Sequence, residues 1–573
     1  MLNWLLQIPF AAGLRQSIAA DYSVSHLRRD LVAGMTVGII AIPLAMALAI
    51  ASGVPPQYGL YTCVIAGLVI ALTGGSRLSV SGPTAAFVVI LYPVTQQFGI
   101  AGLLIATIMA GMMMLLMGLA RMGKLIEFIP APVVIGFTAG IAIVIATLQI
   151  KDFAGLNIEN MPAGYIDKVI TLWQALPSYN SSDLLIGLTT LAVLIIWPRL
   201  PLRIPGHLFA LAAGATVAQW LSSNGNDIAT IGTLFSYQDQ GQTLPGIPPL
   251  APSFLFPWDL PGPDGKPLIL SLSLLQQLFI PALAIALLGA IESLLCAVIS
   301  DGMSGHRHHA NSELVGQGLG NIIAPFFGGI TATAAIARTV ANYKAGACSP
   351  LSAVIHAAVV LLGILYLAPF LSYLPMAALS ALLLMIAWNM SELPHLLRLL
   401  RISSRGDKAL LLITLLLTVT VNMVAAVGIG VVLGALIFIR RMDTTVEVRE
   451  LKQKSQNLPY ELPENVCVLK FSGPLFFAGA ERTLQNVLMM DRKLDTIIFY
   501  LEAVPIIDAT GITCLEAVIQ EMRHRDIRLI LADLQPQPSK ALELAGISPK
   551  QHWLLFEPSL ESSLEKFNLN IAT

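Results

Sequence analysis

Long apolar runs recur along the chain from Leu31 to Ile439 and then stop. Each is long enough, or nearly so, to cross a hydrocarbon core of about 30 Å as a helix. The pattern predicts about fourteen spans. Seven precede residue 222: Leu31–Ser52, Tyr58–Gly74, Ser81–Gln97, Ile100–Leu119, Val133–Gln149, Leu184–Trp197 and Leu208–Leu221. A polar, proline-rich stretch from Ser222 to Leu272 follows. Seven more come after it: Leu274–Ser300, Leu314–Phe327, Thr331–Tyr343, Leu351–Ser372, Ala377–Trp388, Ala409–Val424 and Val427–Ile439. Beyond Arg441 the pattern shortens to strand-like and amphipathic segments. The predicted organisation is a transmembrane domain over 1–441, with repeats at about 28–222 and 273–441. A linker at 442–464 and a soluble α/β domain at 465–573 complete it.

Two spans differ from the rest. SVSGPTAAFVVIL (Ser79–Leu91) and GGITATAAIARTV (Gly328–Val340) enter through small, helix-poor residues and turn helical only near the middle. They occupy matching places in the two halves. A helix that starts inside the membrane exposes free N–H groups and the positive end of its dipole. Two such starts at corresponding positions point to a transporter's substrate site, here for an anion. The plain alternative is that Gly and Pro only permit close helix packing.

Composition agrees. Of 573 residues, 55% are hydrophobic and 12% charged, about half the charge of a soluble domain. With the N-terminus inside, sixteen Lys/Arg fall at cytoplasmic ends, Arg28, Arg77, Arg398 and Arg440 among them. Only Lys151, Lys168 and Lys266 fall outside. This positive-inside bias places both termini in the cytoplasm and checks the span count. An odd number of spans per half makes the halves insert oppositely, as inverted repeats do. The short apolar stretch Trp4–Leu14 has no basic residue ahead of it, so no cleaved signal peptide is expected. The five cysteines lack paired spacing, and the tract His306–His309 falls at a predicted turn with no cysteine nearby. Neither predicts a metal site.

Charge inside the spans marks the candidate chemistry. Arg338 sits about one and a half turns into the second broken helix. An unpaired arginine there costs about 2.5 kcal/mol or more on insertion scales, so it must pair, reach water or hold an anion. Its place beside a positive helix end favours an anion over a structural ion pair. Glu292, in LLGAIESLLCAVIS, is the carboxylate well inside a long apolar run, suited to gain and lose a proton. A structural glutamate is the alternative. Glu313, Gln317 and Asn321 share one helix face and read as interhelical hydrogen-bonding groups. Pro43, in GIIAIPLAMA, kinks the first span; a cavity wall and tight packing both suit that composition.

These residues carry a resemblance. DLVAGMTVGIIAIPLAMALAIASGVPPQYGLY, TGGSRLSVSGPTAA, AIESLL, NSELVGQGLGNIIAPFFGG and ATAAIARTVANYKAGA resemble the signatures of the sulfate permease (SulP) family of anion transporters. The likeness runs over almost the whole chain, and from Glu292 to Ser352 it is strongest to the family's bacterial C4-dicarboxylate transporters. The resemblance implies a polytopic helical protein of fourteen spans in two inverted seven-span repeats. A core bundle would move against a gate bundle, with the anion between the broken helices. It places Thr84 on the first broken helix, Ala337 and Arg338 on the second, and Ala41 and Leu48 opposite them on the first span. Some relatives carry glutamine in place of Ala41 and serine in place of Ala337, so backbone N–H groups would do more of the binding here. The glutamate of AIES, Glu292, is the proton-coupling residue of the family's symporters. The resemblance also implies a homodimer.

The C-terminal segment reads as strands at Val466–Gly473, Thr496–Leu501 and Ile527–Ala532, with helices at Ala480–Met490 and Ile512–Arg523. It resembles the STAS domain, the tail of SulP proteins. In the related anti-sigma-factor antagonists, the hydroxyl residue just before the helix-opening glycine is phosphorylated. Here that residue is Thr510, in Asp508-Ala509-Thr510-Gly511, which implies regulation and a cytosolic protein partner. Helix capping by Asp508 or Thr510 is the plain alternative.

The expected function is a secondary active anion transporter of the bacterial inner membrane. It would carry out proton-coupled symport of C4-dicarboxylates such as succinate by alternating access, with sulfate or bicarbonate next. A passive channel, or a receptor signalling through the tail, is the rival, and Glu292 counts against a channel. No nucleophile–base constellation, metal spacing or nucleotide loop suggests an enzyme. No cofactor beyond the proton gradient and no nucleic-acid partner are expected.

Overall fold

The computed structural model describes every residue except 1–9, 20–21, 125–129, 159–160, 163, 201–205, 240–241, 422, 445–446, 452–462, 464, 477–493, 550–552 and 566–573. The chain divides into two compact units, Met1–Val431 and Val432–Thr573.

In the first unit the helices are α1 (Ala12–Ile18), α2 (Val24–Ala51), α3 (Pro56–Thr73), α4 (Ala85–Leu119), α5 (Ala131–Phe153), α6 (Tyr165–Ala175), α7 (Ser181–Ile196) and α8 (Gly206–Ser223). After them come α9 (Leu272–Ser304), α10 (Ala310–Ile323), α11 (Ile336–Lys344), α12 (Leu351–Leu371), α13 (Met376–Met390), α14 (Leu393–Ile402), α15 (Arg405–Thr420) and α16 (Met423–Thr444), which runs on into the second unit. Each of the fourteen predicted spans falls on a helix. Among the described residues, eight helices, some counted with the short turn or helix that follows, are long and apolar enough to cross a membrane. α4 carries two spans. Gly99, at φ 67°, breaks it, and a Cβ there would lie 2.7 Å from the Gly262 carbonyl carbon.

The helices sort into two bundles. α2, α3 and α4 pack with α9, α10, α11 and α12, whereas α5, α7, α8, α13 and α15 pack with one another. Each bundle takes its members from both halves of the sequence. The halves meet in a two-stranded antiparallel pairing of β1 (Ser81–Gly82) with β4 (Thr333–Ala334), Ser81 opposite Ala334. The polar stretch before α9 is not featureless. It forms a hairpin of β2 (Ser236–Asp239) and β3 (Gln242–Pro245), and α6 and α14 are further helices that apolar runs do not reveal.

α2 starts with Ser23 and His26 in a reciprocal cap, and α9 starts with Ser271 accepting from the Leu274 N–H at 3.2 Å. Near the α2 start lies a buried carboxylate that the sequence reading passes over. Asp30 accepts from the N–H groups of Cys348 (2.7 Å) and Ser349 (3.2 Å), the Ser349 hydroxyl and the Tyr22 hydroxyl (2.7 Å). These bonds fasten the turn between α11 and α12 to α2. Burial, aided by the Asp30 carboxylate, pushes the Cys348 thiol up to about 11.

The second unit holds a five-stranded sheet ordered β5 (Glu447–Glu450), β6 (Val466–Ser472), β7 (Thr496–Ala503), β8 (Arg528–Ala532) and β9 (Leu554–Glu557). β5 is antiparallel to β6, and the rest run parallel. Helices α17 (Ala509–His524), α18 (Pro536–Leu544) and α19 (Leu560–Glu565) accompany it. Both faces are covered. Leu469, Phe471 and Phe499 pack with Leu515 and Val518 of α17, while Val468, Ile498 and Ile530 pack with Leu560 and Leu564. Two buried faces explain why β6 reads as a continuous apolar run rather than an alternation. Residues 447–450, assigned to the linker by the sequence, form the edge strand. The predicted helix Ala480–Met490 lies outside the described residues.

Candidate functional site

The site is built where β1 and β4 meet. Unwound backbone inside a membrane must find partners among side chains, and α10 supplies them. Asn321 receives the Ala332 N–H on Oδ1 and donates Nδ2 to the Ala332 carbonyl, both at 2.8 Å. Gln317 Nε2 donates to the Ser81 hydroxyl at 3.1 Å and to Glu313 at 3.0 Å. Glu313 accepts from the N–H groups of Gly75 (2.9 Å) and Ser76 (3.0 Å). The stripe read as interhelical bonding therefore clamps both breaks. Thr62 receives the Ile330 N–H at 2.7 Å, and the Ser293 and Thr333 hydroxyls lie 2.6 Å apart.

With the backbone held, α4 and α11 begin side by side within the fold. Neither start carries a side-chain cap. Thr84 occupies the N-cap position of α4, but its hydroxyl donates to Glu292 Oε2 at 3.0 Å instead of capping. Both helix starts thus keep N–H groups that no side chain takes. Glu292 is half-buried on α9, and no cation lies within ion-pair distance among the described residues.

Arg338 lies on the first turns of α11 and is 2% exposed. Nη1 donates to Cys63 Sγ and Nη2 to the Pro83 carbonyl, each at 3.3 Å, while Nε has no partner. Among the described residues no carboxylate comes within 4.0 Å of it. Its guanidinium lies against Gly82, where an added Cβ would collide with Nη1. A buried guanidinium held by a thiol and a carbonyl, beside two uncapped helix starts, makes a concentrated positive region. Such a region suits an anion and would repel a structural cation.

Ala41 and Leu48 of α2 are buried and share a hydrophobic cluster with Ala85 and Ala86 at the α4 start. Ala337 is exposed beside the buried Arg338. Sequence reasoning missed Cys63, which looked like one of five scattered cysteines, and His356. A histidine inside the apolar run LSAVIHAAVVLL was the available signal. The His306–His309 tract is used locally. His308 bonds Asp301 at 2.8 Å, and His309 caps α10 through the Ser312 N–H. In the second unit, Asp508 caps α17 by accepting from the Gly511 N–H at 2.7 Å, and Thr510 is exposed.

Comparison with known proteins places the chain in a family. The signature of the sulfate permease family covers residues 27–414, and that of the STAS domain covers 457–563. The chain belongs to the sulfate permease family. It is 39% identical to YvdB of Bacillus subtilis (strain 168) over 92% of this chain and 96% of that one. It is 28% identical to the bicarbonate transporter BicA of Picosynechococcus sp. over 90% of each. Murine Slc26a9, an anion transporter in the inward-facing state, superposes with a TM-score of 0.83 at 18% identity, covering 96% of this chain and 93% of that one. That likeness concerns the fold. A sulfate permease family member with these two parts is a multi-pass membrane anion transporter, not an enzyme.

Proposed function

We propose that this chain is a proton-coupled importer of compact oxyanions, sulfate ahead of bicarbonate, working by alternating access between its two bundles. The observation that carries the reading is the buried Arg338 guanidinium with no carboxylate partner, set beside two uncapped helix starts. Thr84 and the exposed Ala337 contribute the edges of the site, and Ala41 and Leu48 form its wall on α2.

Moving one negative charge inward against 100 mV costs about 2.3 kcal/mol, so a divalent anion needs co-transported cations. Glu292 supplies a place for a proton. An ionised Glu292 near the helix starts competes with the anion for the same positive region, and protonation removes the competition. The Thr84–Glu292 bond joins that carboxylate to the N-cap of α4.

The second reading is symport of C4-dicarboxylates, supported by the motif likeness from Glu292 to Ser352. A four-carbon diacid presents two separated charges, whereas this site gathers its positive charge at one guanidinium. Curated relatives include bicarbonate and sulfate transporters, which supports the compact anion. The same proposal places both termini in the cytoplasm of a bacterial inner membrane and makes the chain a homodimer. It makes exposed Thr510 a regulatory position where a cytosolic protein acts, with Asp508 holding the helix start.

Uptake of labelled sulfate, bicarbonate and succinate into proteoliposomes, with and without an inward proton gradient, tests the proposal. Sulfate accumulation driven by the gradient is expected. Transport of succinate alone would select the second reading, and gradient-independent flux of every anion would select a channel.

A further inference from the structure

His356 sits near the start of α12 and is wholly buried, yet neither Nδ1 nor Nε2 has a hydrogen-bond partner. An orphaned imidazole inside a membrane domain is costly unless something meets it. Its ring faces α3 at Gly67, where an added Cβ would lie 4.0 Å from Nδ1 and 3.3 Å from the Ser81 carbonyl oxygen. The ring and the Ser81 carbonyl of β1 therefore meet the same glycine of α3. Arg338 acts on it electrostatically.

Other buried polar atoms also lack partners: Arg338 Nε and Asn342 Oδ1 on α11, and Oε1 of Gln317, whose amide nitrogen donates to Ser81. Arg338 and Asn342 are one turn apart on α11, and Ser352 and His356 are one turn apart on α12. Asn342 Nδ2 donates to Ser352 Oγ at 2.8 Å and ties the two pairs together. A neutral imidazole offers one donor and one acceptor, Arg338 Nε one donor, and Asn342 Oδ1 one acceptor.

Few charges oppose or favour a proton on this ring. α11 presents Arg338. α3 carries the Cys63 thiol one turn from Gly67. α2 meets α12 through Gly34, Gly38 and Ile42, and β1 offers Ser81. Glu292 reaches the site separately, through Thr84. Arg338 is the charged group that acts on His356, and an anion on Arg338 offsets that charge.

We propose that His356 is a second proton site, filled when an anion occupies the Arg338 site. The imidazole lone pair takes a proton from a hydronium ion: an N–H bond forms as an O–H bond breaks and water is left, and no bond of the anion changes. Anion and proton then enter the buried cluster together, and by reciprocity each strengthens the binding of the other. This inference rests on the anion-site reading of Arg338 given above.

Sulfate is the probe, because it does not itself titrate between about pH 5 and 8, where histidine does. Its affinity for the full-length protein in nanodiscs is measured by calorimetry across that range. Each proton taken up on binding steepens the dependence by about tenfold per pH unit at the limit, with tighter binding at lower pH. In Glu292→Gln a slope remains, the share of His356. In His356→Gln that share is lost, and the double variant binds without pH dependence. A wild-type slope in His356→Gln, or a flat profile in Glu292→Gln, overturns the proposal. Should His356→Gln not yield a monodisperse protein, the sulfate-induced infrared difference spectrum of ring-labelled wild-type protein reads the same event. An imidazolium band must appear on sulfate addition, and its absence overturns the proposal. Arg338→Ala tests the site separately: unchanged sulfate affinity there refutes the anion-site reading, whatever the slopes show.

Discussion

The first broken segment is held from α10 and α11, by Gln317 at the Ser81 hydroxyl, Thr339 at the Val80 N–H and Arg338 at the Pro83 carbonyl, whereas the second is held from α10, α9 and α3. Asn321 pairs with both backbone groups of Ala332, Ser293 lies against Thr333, and Thr62 takes the Ile330 N–H. Their chemistry differs as well. The first segment ends in Thr84, whose hydroxyl reaches a titratable carboxylate, and the second carries the fixed charge of Arg338. A fixed charge must be aimed, and aiming needs a rigid backbone. A proton site must change state, and a single hydroxyl contact allows that. Two segments related by the repeat thus share a strand pairing while the first reaches the Glu292 carboxylate and the second carries the anion-binding charge.

The largest expected effect comes from the fixed charge. Charge-assisted hydrogen bonds contribute about 1.5–3 kcal/mol each, so Arg338→Ala should weaken sulfate binding by about tenfold to a hundredfold. Thr84→Ala, losing one contact to Glu292, should weaken it far less. Calorimetric titration of the two variants compares them. Equal losses would erase the asymmetry between the segments.

Rigidity gives the next test. Asn321→Ala leaves two buried backbone groups of Ala332 unpaired, at about 1–3 kcal/mol each. Gln317→Ala frees one hydroxyl and one carboxylate oxygen and leaves every backbone group paired as before. Asn321→Ala should lower the thermal midpoint of detergent-purified protein clearly more than Gln317→Ala. The reverse order would show that the first segment is the one needing support.

The pattern of spans was legible because each is a continuous apolar run, and the break at Gly99 was legible because polar Gln96 and Gln97 precede it. Arg338 and Glu292 stood out as charges where charge is expensive. The clamp residues were visible as a polar stripe on α10, but not what they grip. The β1–β4 pairing joins residues more than two hundred positions apart, and two-residue strands leave no periodic signal. Cys63 stayed hidden because a thiol differs little from its apolar neighbours in any hydropathy pattern, whereas His356 was visible as a lone histidine in an apolar run, without a sign of what it faces. β5 was hidden by the charged residues of an edge strand, which alternate in and out without an apolar face.

A smaller effect is expected from the tail. Removing Asp443 to Thr573 takes away the sheet domain but none of the residues around Arg338. Sulfate affinity of a monodisperse, inserted truncation should equal that of the full chain, even where turnover changes. Lost binding would mean that the tail helps to build the site.

The division between anion and proton is tested most directly by Glu292→Gln in proteoliposomes, measured as gradient-driven accumulation of sulfate beside sulfate exchange at equal pH. The variant keeps the shape and the contact with Thr84 but cannot titrate. Exchange should persist, while accumulation driven by an acidic exterior should fall well below the wild-type level, to the share that His356 carries. Accumulation at the wild-type level in Glu292→Gln would contradict the assignment of the proton to the first segment.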